Sequence, residues 1–356
     1  MRIAVDVSPL SHPRTGIGNY IRGSLAGMTE AAAGSHELVA FAPTSLKGPG
    51  KIRAALDGVA VPARLWPLPA SHAFRTAWSR LGHPAAERLL GSIDALLYTD
   101  WMYPPQRDGL RSTVIHDLVP LHHPELVTAR TRSMHTRKYE NAARTCDVVF
   151  TNSRYTADDV AATLGIADDK LVVARPGLEP WHVADGDGWK LGRPYVLGIG
   201  TLEPRKNLTR LVEAWRLLRD DLALVLAGGE GWGSQEGLDD PGITKLGYVR
   251  DDDVGRLYRG AAVYVYPSLF EGFGMPVVEA MACGTPVVAS SHPSLDEACG
   301  DAAVRVDPLD TAAIAAGIRE ALDHRDELVV AGLEHARRFS WRATGEVMLR
   351  AYEERA

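Results

Sequence analysis

Residues 263–289 read VYVYPSLFEGFGMPVVEAMACGTPVVA, and this stretch decides the fold. It opens with a short β-branched and aromatic run, passes through a loop that contains two glycines, and continues with the spacing of a helix. Pro276 suits the first position of that helix. A second apolar run over residues 286–289 completes a strand–helix–strand unit. Such a unit predicts two parallel strands that are joined by a crossover helix and buried on both faces.

The same alternation extends along the chain in both directions. Further short apolar runs predict strands at residues 2–7, 37–41, 93–98, 113–116, 147–151, 171–174, 195–199, 222–227, 243–246 and 303–306. Segments with helical spacing predict helices at residues 18–28, 156–164, 207–218, 253–259, 311–322, 325–338 and 340–354. Strands that alternate with helices indicate the α/β class with mainly parallel sheets.

A change of composition divides the chain into two parts. Residues 176–194 interrupt the alternation and are rich in glycine and proline. The length of 356 residues exceeds the size over which one hydrophobic core keeps growing. We predict two doubly wound, Rossmann-like domains at residues 1–180 and 194–339, with a linker at 181–193. Ligands of parallel α/β sheets bind beyond the carboxyl ends of the strands, so two facing domains would form a cleft with a site.

Composition and charge exclude several classes of protein. Apolar residues make up 46% and charged residues 24% of the chain, which is typical of a globular enzyme. The net charge of −6 argues against nucleic acid as a partner, because a nucleic-acid-binding domain is strongly basic. The three cysteines form no CxxC pair, so we expect reduced thiols and no zinc site. Without a signal-peptide pattern or a long apolar run, we expect a cytoplasmic protein.

Two glutamates flank the loop and the helix of the opening stretch. Glu271 lies in the loop after the strand, and Glu279 lies near the first turn of the helix. The intervening Gly272 and Gly274 permit unusual backbone angles, and the N–H groups of such a helix end favour an anion such as phosphate. The carboxylates could accept hydrogen bonds from sugar hydroxyls. From spacing alone, a purely structural glycine turn explains the pattern equally well.

A pair of basic residues opens the helix after the strand at residues 195–199. Arg205 and Lys206 precede Asn207, which we predict to cap this helix. Positive charge at a helix N-terminus opposes the macrodipole, and a bound diphosphate would resolve that conflict. An exposed basic pair without a function is the alternative.

Two clusters in the first half follow predicted strands. The loop PRTGIGNY at residues 13–20 brings Gly16 and Gly18 close to the first strand but lacks the GxGxxG spacing of a dinucleotide site. A glycine turn beside a ligand and a structural turn both fit this loop. His116 and Asp117 follow the strand at residues 113–116, where they could face a ligand; a packed histidine is the alternative.

Other charged or glycine-rich segments receive different interpretations. Asp251, Asp252 and Asp253 resemble a metal-binding motif, but their place before residues 254–258 predicts N-caps of a helix. We therefore assign no metal, and His122 with His123 lacks ligand spacing. The loop GGEGWG at residues 228–233 is predicted at the edge of the cleft. The basic residues of the segment 130–144, including Lys138, predict a solvated face; contact with a membrane is the alternative.

Together these clusters resemble the retaining glycosyltransferases of family 4, which have the GT-B fold. The resemblance covers essentially the whole chain and rests on residues 15–19, 115–118, 151–153, 200–207 and 271–279. Within the family, the sequences GTLEPRKN and GGEGW resemble the branch that contains mannosyltransferases of O-antigen assembly.

The resemblance implies a role for each residue of the site. Arg205 and Lys206 would neutralise the diphosphate of a sugar-nucleotide donor, Glu271 would bind the donor sugar, and Glu279 would bind the ribose. Gly16 and Gly18 would approach the phosphates, and His116 would orient the sugar, with Asp117 beside the acceptor. The remaining residues assigned to the donor site are Gly272, Phe273 and Gly274. The helix at residues 340–356 would cross back to the N-terminal, acceptor-side domain. No cofactor and no metal are expected.

The resulting hypothesis is a retaining transferase that moves mannose from GDP-mannose to a glycan or a lipid-linked acceptor. A sugar-nucleotide epimerase of the same architecture and a transferase for a UDP- or dTDP-sugar are alternatives. A binding protein without catalysis is disfavoured because Arg205, Lys206 and both glutamates are present. The failed glycine spacing disfavours a dinucleotide-dependent oxidoreductase.

Overall fold

A computed structural model of the chain describes residues 1–13, 15–231 and 237–356. These residues form two compact units. The first unit comprises Met1–Gly177 together with Ser340–Ala356, and the second comprises Leu178–Phe339.

The first unit is built on a parallel sheet of seven strands. The strands are β1 (Arg2–Asp6), β2 (Glu37–Thr44), β3 (Ala63–Pro67), β4 (Ala95–Tyr98), β5 (Leu110–Ile115), β6 (Val148–Thr151) and β7 (Leu171–Val173), in the order β3-β2-β1-β4-β5-β6-β7. The helices between them are α1 (Gly16–Ala32), α2 (Gly48–Ala55), α3 (Ser71–Leu81), α4 (Glu87–Leu90), α5 (Val119–His122), α6 (Ala129–Thr145) and α7 (Arg154–Leu164).

The second unit is built on a parallel sheet of six strands. The strands are β8 (Tyr195–Ile199), β9 (Ala223–Ala227), β10 (Ile243–Gly247), β11 (Val263–Tyr266), β12 (Val287–Ser290) and β13 (Val304–Val306), in the order β10-β9-β8-β11-β12-β13. The helices are α8 (Leu208–Arg216), α9 (Asp251–Gly260), α10 (Met275–Ala282), α11 (Asp296–Cys299), α12 (Thr311–Asp323) and α13 (Arg325–Ala336), and a last helix, α14 (Trp341–Glu353), belongs to the first unit.

The sheet of the second unit is covered on both faces. Along β11, Tyr264 and Tyr266 pack into one apolar cluster, which includes α10, while Val263 and Val265 pack into another, which includes α8 and α12. This alternation follows from the two-residue period of a strand. It explains why the strands read as continuous apolar runs, and it confirms the predicted α/β class with parallel sheets.

The strand order places a switch point in each sheet. The chain builds outward from β1 to β3 and then returns to lay β4 on the other side of β1; β8, β10 and β11 repeat this path. Loops after the two central strands diverge to opposite faces at such a point, which leaves a crevice at the carboxyl edge. The residues that follow β1 and β4, and those that follow β8 and β11, are therefore the ones to examine for function.

Helix α14 packs directly on α1 at positions that only glycine can occupy. A Cβ on Gly27 would overlap the carbonyl oxygen of Trp341, and a Cβ on Gly345 would overlap the backbone of Gly27. A hydrogen bond from Tyr20 to the carbonyl of Ala174 ties α1 to the chain beyond β7. The last helix is thereby a part of the first unit's core.

Several elements differ from the prediction. The predicted linker at residues 181–193 packs on the second unit, where the backbone N–H of Trp189 donates to the carbonyl of Arg256 and its ring contacts the ring of Tyr195. Strand β3 was missed because it is a half-exposed edge strand that ends in a proline, without an apolar run. Helix α1 begins at Gly16 and not at Gly18, since Thr15 is its cap. In the described parts of the chain, no helix combines the length and apolar character needed to cross a membrane.

We expect Gly27→Ala to lower the free energy of unfolding by about 1–3 kcal/mol, because the added methyl group overpacks the contact between α1 and α14. Urea unfolding followed by tryptophan fluorescence measures this change. Gly50→Ala is the matched control: Gly50 lies in α2, where a Cβ meets nothing within 4 Å, so the stability should stay equal or rise slightly. Equal stabilities of the two variants would contradict the proposed tight contact.

Candidate active site

Two loops meet at the carboxyl edge of the second sheet, at its switch point. The loop after β8 turns at Gly200, with φ of 154°, and ends in a short 3₁₀ turn over Pro204–Lys206. The loop after β11 is joined to it by a backbone hydrogen bond of 2.9 Å from Leu269 to the carbonyl of Arg205. This bond places the basic pair of one loop beside the acidic residue of the other.

Asn207 fixes the end of the first loop. It adopts the left-handed conformation, with φ of 56°, and its side-chain amide donates to the carbonyls of Pro267 and Pro308 at 3.0 and 2.7 Å. Asparagine tolerates this backbone conformation better than most residues. Asn207 occupies the N-cap position of α8, as predicted, but its side chain forms no cap hydrogen bond and connects loops instead.

Glu271 is the centre of the cluster that these loops create. Oε2 lies 2.6 Å from Nη1 of Arg205, and Oε1 lies 2.7 Å from Nζ of Lys206 and 2.5 Å from Oγ of Ser268. The backbone N–H of Glu271 donates to Ser294. The residue is 7% exposed, so both of its carboxylate oxygens are occupied in a largely buried setting.

The two cations have further partners. Nζ of Lys206 donates to the hydroxyl of Tyr266 at 2.7 Å and lies 4.9 Å from the centre of its ring. Arg205 pairs with Glu203 at 2.6 Å and donates to the carbonyl of Phe270. Each cation therefore approaches the cluster in a fixed orientation.

These contacts set the charges of the site. Burial disfavours the charge of Glu271, but its ion pairs with Arg205 and Lys206 outweigh burial and lower its pKa to about 2. Burial, together with the neighbouring Arg205, lowers the pKa of Lys206, and Glu271 opposes that shift. Glu271 is thus ionised at neutral pH and acts as an acceptor of hydrogen bonds.

The other predicted residues of this stretch lie outside the Glu271 cluster. Glu279 lies in α10, is 8% exposed and accepts a hydrogen bond of 3.1 Å from Tyr258, outside the Glu271 cluster. Gly274 has φ of 96°, and a Cβ there would overlap Leu295. Gly274 occupies the N-cap position of α10. Because glycine has no side chain, it forms no cap hydrogen bond to the N–H groups at this end of the helix.

The side chain of Phe273 packs inside the second unit. It is 2% exposed and packs against Phe339 with a ring distance of 5.4 Å. The sequence could not reveal this, because both glycines beside Phe273 allow either direction for its side chain. Gly272 and Gly274 leave the adjoining backbone without side chains, so the backbone is the part of this loop that can approach a ligand.

The predicted residues of the first unit lie at the carboxyl edge of its own sheet. Gly16 is exposed, and both Gly16 and Gly18 lie in the first turn of α1, where the hydroxyl of Thr15 accepts from the N–H of Gly18 at 3.5 Å. Arg14 of this loop lies outside the described residues. Gly16 and Gly18 therefore form a bare helix start and not a free loop.

His116 follows β5 and is held as a neutral ring. Nδ1 lies within hydrogen-bond distance of the Asn152 amide, and the ring contacts Tyr20 edge-on at 5.1 Å. Burial, assisted by Lys138, lowers its pKa to about 3. Nε2 is buried and has no hydrogen-bond partner among the described residues, so it is the atom of His116 that can meet a ligand.

Some interpretations of charged segments need correction. Helix α9 has Arg250 at its N-cap position, so the prediction that the aspartates cap it is wrong: they form its first turn, where negative charge suits the helix dipole. The side chains of Asp251 and Asp252 lie outside the described part. Among the described residues no group of three His, Cys, Asp or Glu side chains could hold a metal ion.

Asp117 and Lys138 of the first unit both bond to the backbone. Asp117 accepts from the N–H of Val119 at 3.0 Å and so caps the turn that begins α5. Lys138 is not on the solvated face of α6, because it is 2% exposed and its Nζ donates to the carbonyl of Val114 at 2.6 Å. The membrane contact predicted from this helix stays a prediction.

The glycine-rich loop after β9 lies beside the loop after β8. Leu202 donates to the carbonyl of Gly229 at 3.1 Å, and a Cβ on Gly231 would overlap the carbonyl of Leu202. Trp232 and Gly233 lie outside the described residues. Glycine is thus required here for two loops to approach each other.

The sequence did not identify Tyr266 and Ser268 as residues of the site. Both contact the Lys206–Glu271 pair, at the end of β11 and in the following loop. A tyrosine and a serine at a strand end are common, so only the convergence of the two loops distinguishes them.

The sequence around this site matches that of known glycosyltransferases. Residues 193–324, which include the Glu271 cluster, match the profile of "Glycosyl transferases group 1". The chain is 32% identical over 314 residues to O-antigen chain mannosyltransferase B of Escherichia coli, covering 77% of this chain and 78% of that protein. The chain belongs to glycosyltransferase family 4.

A second relative supports this assignment. The serotype-specific mannosyltransferase WbdA of Escherichia coli is 29% identical over 271 residues, which are 67% of this glycosyltransferase and 33% of WbdA. The match therefore spans about a third of WbdA's length.

Solved structures show the fold. Sucrose-phosphate synthase from Thermosynechococcus elongatus aligns with a TM-score of 0.74 at 19% identity, over 99% of this chain and 98% of that chain. HepE from Anabaena, solved with UDP and glucose, aligns with a TM-score of 0.72 at 15% identity, over 99% of both chains. The predicted GT-B fold is confirmed.

We expect acid to weaken the ion pairs of Glu271 in a defined range of pH. A carboxyl group with a lowered pKa contributes stability that is fully present above its ordinary value of 4.5 and is lost as the pH falls through about 2. As the pH falls between these limits, the free energy of unfolding of the native protein should decrease by an amount that is absent in Glu271→Gln. Urea unfolding at several pH values measures it.

At neutral pH the same variant should be less stable by about 3 kcal/mol, because two partly buried cations lose their shared partner. Glu346→Gln is the control, since Glu346 pairs with Arg342 at the exposed surface. A Glu271→Gln variant whose pH profile matches that of the control would contradict the role of Glu271.

Proposed function

We propose that this glycosyltransferase moves mannose from GDP-mannose to a glycan or lipid-linked acceptor in polysaccharide assembly, with retention of anomeric configuration and without a metal. The observation that carries the proposal is the partly buried pair of Arg205 and Lys206, held by the buried Glu271 at the switch point of the second sheet. The similarity to O-antigen chain mannosyltransferase B supports the choice of sugar and of pathway class.

The basic pair would supply most of the catalysis. When the glycosidic bond of the donor breaks, negative charge develops on the leaving diphosphate. Arg205 and Lys206 stabilise that charge, and their fixed contacts with Glu203 and Tyr266 mean that little reorganisation is needed. A diphosphate carries the same sign of charge as Glu271 and would share the two cations with it.

Glu271 would bind the donor sugar and not attack it. Its low pKa and its ion pairs make its oxygens weak bases and weak nucleophiles. Such oxygens accept hydrogen bonds from sugar hydroxyls well. A covalent intermediate on Glu271 is therefore disfavoured by the same contacts that support a binding role.

Retention then requires attack from the face that the nucleotide leaves. The acceptor oxygen forms the new bond to the anomeric carbon while the bond to the diphosphate oxygen breaks. The proton of the acceptor hydroxyl passes to that departing oxygen. Atoms and charge balance without a further base from the protein.

The other residues receive binding roles. We assign Glu279 to the ribose hydroxyls, and the backbone of Gly272 and Gly274 to the neighbouring part of the donor. In the first unit, we assign the helix start at Gly16 and Gly18 to the phosphates, because the absence of side chains lets the backbone approach. The neutral His116 offers Nε2 to a sugar hydroxyl. The side chain of Phe273 has no part in this proposal.

A donor panel with one pair of variants tests the main claim. GDP-mannose should raise the melting temperature and support transfer to an acceptor more than UDP-glucose or dTDP-sugars do. Lys206→Met should lower kcat by about 100-fold or more, as the loss of a preorganised donor to developing charge does. Lys245→Met, which removes a lysine that pairs with Asp239 at the surface, should keep the native rate.

Other results of this panel have defined meanings. Preference for a UDP- or dTDP-sugar would overturn the donor, and conversion of a sugar nucleotide without an acceptor would indicate an epimerase. A native rate for Lys206→Met would overturn the site itself.

A second test addresses stereochemistry and metal. Proton NMR of the product formed from GDP-α-mannose should show an α-linkage, and the rate should be unchanged after treatment with EDTA. A β-linked product would refute retention. A rate that falls with EDTA and returns with a divalent cation would refute metal independence.

A further inference from the structure

The switch point of the first sheet contains a buried arginine without an ion-pair partner. Arg75 of α3 is 6% exposed, and its Nε is buried without a hydrogen bond. Among the described residues, no carboxylate oxygen lies within 4.0 Å of its guanidinium. Buried arginines are normally paired, so this one indicates a ligand of opposite charge.

Aromatic rings hold Arg75 in place. Its guanidinium lies 4.9 Å from the ring centre of Trp101, which follows β4 and is 9% exposed. His72, one turn before Arg75 in α3, stacks on the same tryptophan at 4.8 Å with an interplanar angle of 29°. These contacts fix the guanidinium but do not neutralise it.

A second arginine extends the cluster towards the surface. Nη2 of the exposed Arg130 lies 2.8 Å from Nε2 of His72. Because a guanidinium only donates hydrogen bonds, Nε2 accepts, which assigns a neutral ring with its proton on Nδ1. The cluster of Arg75, His72, Trp101 and Arg130 therefore carries two positive charges.

Two carboxyl groups lie nearby, Asp6 and Asp100, but neither pairs directly with Arg75. Oδ1 of Asp6 accepts from the N–H and the hydroxyl of Ser8 at 2.9 and 2.6 Å. Burial raises the pKa of Asp100 to about 6, although Lys138 and Arg75 oppose that shift. Lys138 directs its Nζ to backbone carbonyls. Three cations, Arg75, Arg130 and Lys138, thus stand against two carboxyl groups whose pKa burial raises. Arg75 also contributes, after burial, to lowering the pKa of His12 and of His72.

We propose that Arg75 and Arg130 bind a phosphate group carried by the acceptor, as a phosphomonoester or a diphosphate. The planar guanidinium matches two phosphate oxygens at once, and the crevice beside β1 and β4 is where such a sheet binds ligands. The inference rests on the proposed function, because it assigns the phosphate to the acceptor of the proposed transfer. It does not involve the donor cluster, which belongs to the second unit.

Titration calorimetry of the full chain with inorganic phosphate tests the site. Arg75→Gln should weaken phosphate binding by about tenfold to a hundredfold, as the loss of a charge-assisted hydrogen-bonded pair does. Lys206→Met should leave this binding event in place. The opposite pattern, with binding lost only in Lys206→Met, would overturn the inference and leave the proposed function intact, and so would the absence of any binding.

A second pair of variants protects the test against misfolding of Arg75→Gln. Arg130→Gln changes an exposed residue and should weaken phosphate binding several-fold, whereas Arg80→Gln, exposed on α3, is the matched control and should not. Equal phosphate affinities of Arg130→Gln and Arg80→Gln would contradict the proposed phosphate site.

Two competitors then distinguish the sources of the phosphate. Phosphatidylcholine vesicles that contain phosphatidic acid should displace phosphate if the acceptor is lipid-linked, and mannose 1-phosphate should do so if it is a soluble sugar phosphate. Displacement by neither would overturn the assignment to an acceptor. Binding that depends on Arg75 in a protein that transfers no sugar would refute the proposed function alone.

Discussion

The ion pairs of Glu271 with Arg205 and Lys206 are the constraint on which the site of the second unit depends. They join two loops that follow neighbouring strands and are about sixty residues apart in the sequence. Buried charges without partners are unfavourable, so neither loop can adopt this conformation without the other. The hydrogen bond from Asn207 to Pro267 and the backbone bond from Leu269 to Arg205 join the same two loops. The position of the basic pair is therefore a property of the folded unit.

This arrangement gives the same residues two roles that conflict in part. Glu271 stabilises the folded unit by neutralising the cations, and the proposed reaction requires those cations to attract a diphosphate. Sharing resolves the conflict, because Arg205 and Lys206 have several donors each while Glu271 has two oxygens. Replacing Glu271 would therefore change stability as well as activity, so a binding role and a structural role must be separated by measurement.

Local patterns in the sequence revealed the fold but only a part of the contacts. The alternation of apolar runs predicted both parallel sheets, and the sequences around Arg205 and Glu271 pointed to the loops that meet. The side chain of Phe273 packs against Phe339, a direction that the two flanking glycines do not encode. Tyr266 and Arg75 escaped notice because each becomes distinctive only through partners that are distant in sequence. Strand β3 lacked an apolar run, since an edge strand needs fewer buried side chains.

The glycine contact between α1 and α14 also bears on the order of events during synthesis. Trp341 and Gly345 are translated after every residue of the second unit, and yet they complete the packing of the first helix in the chain. The second unit can thus acquire its full set of partners while the first still exposes the apolar face of α1. Nascent chains that stall before Trp341 would present that face to chaperones, although every residue of the second unit has already been made.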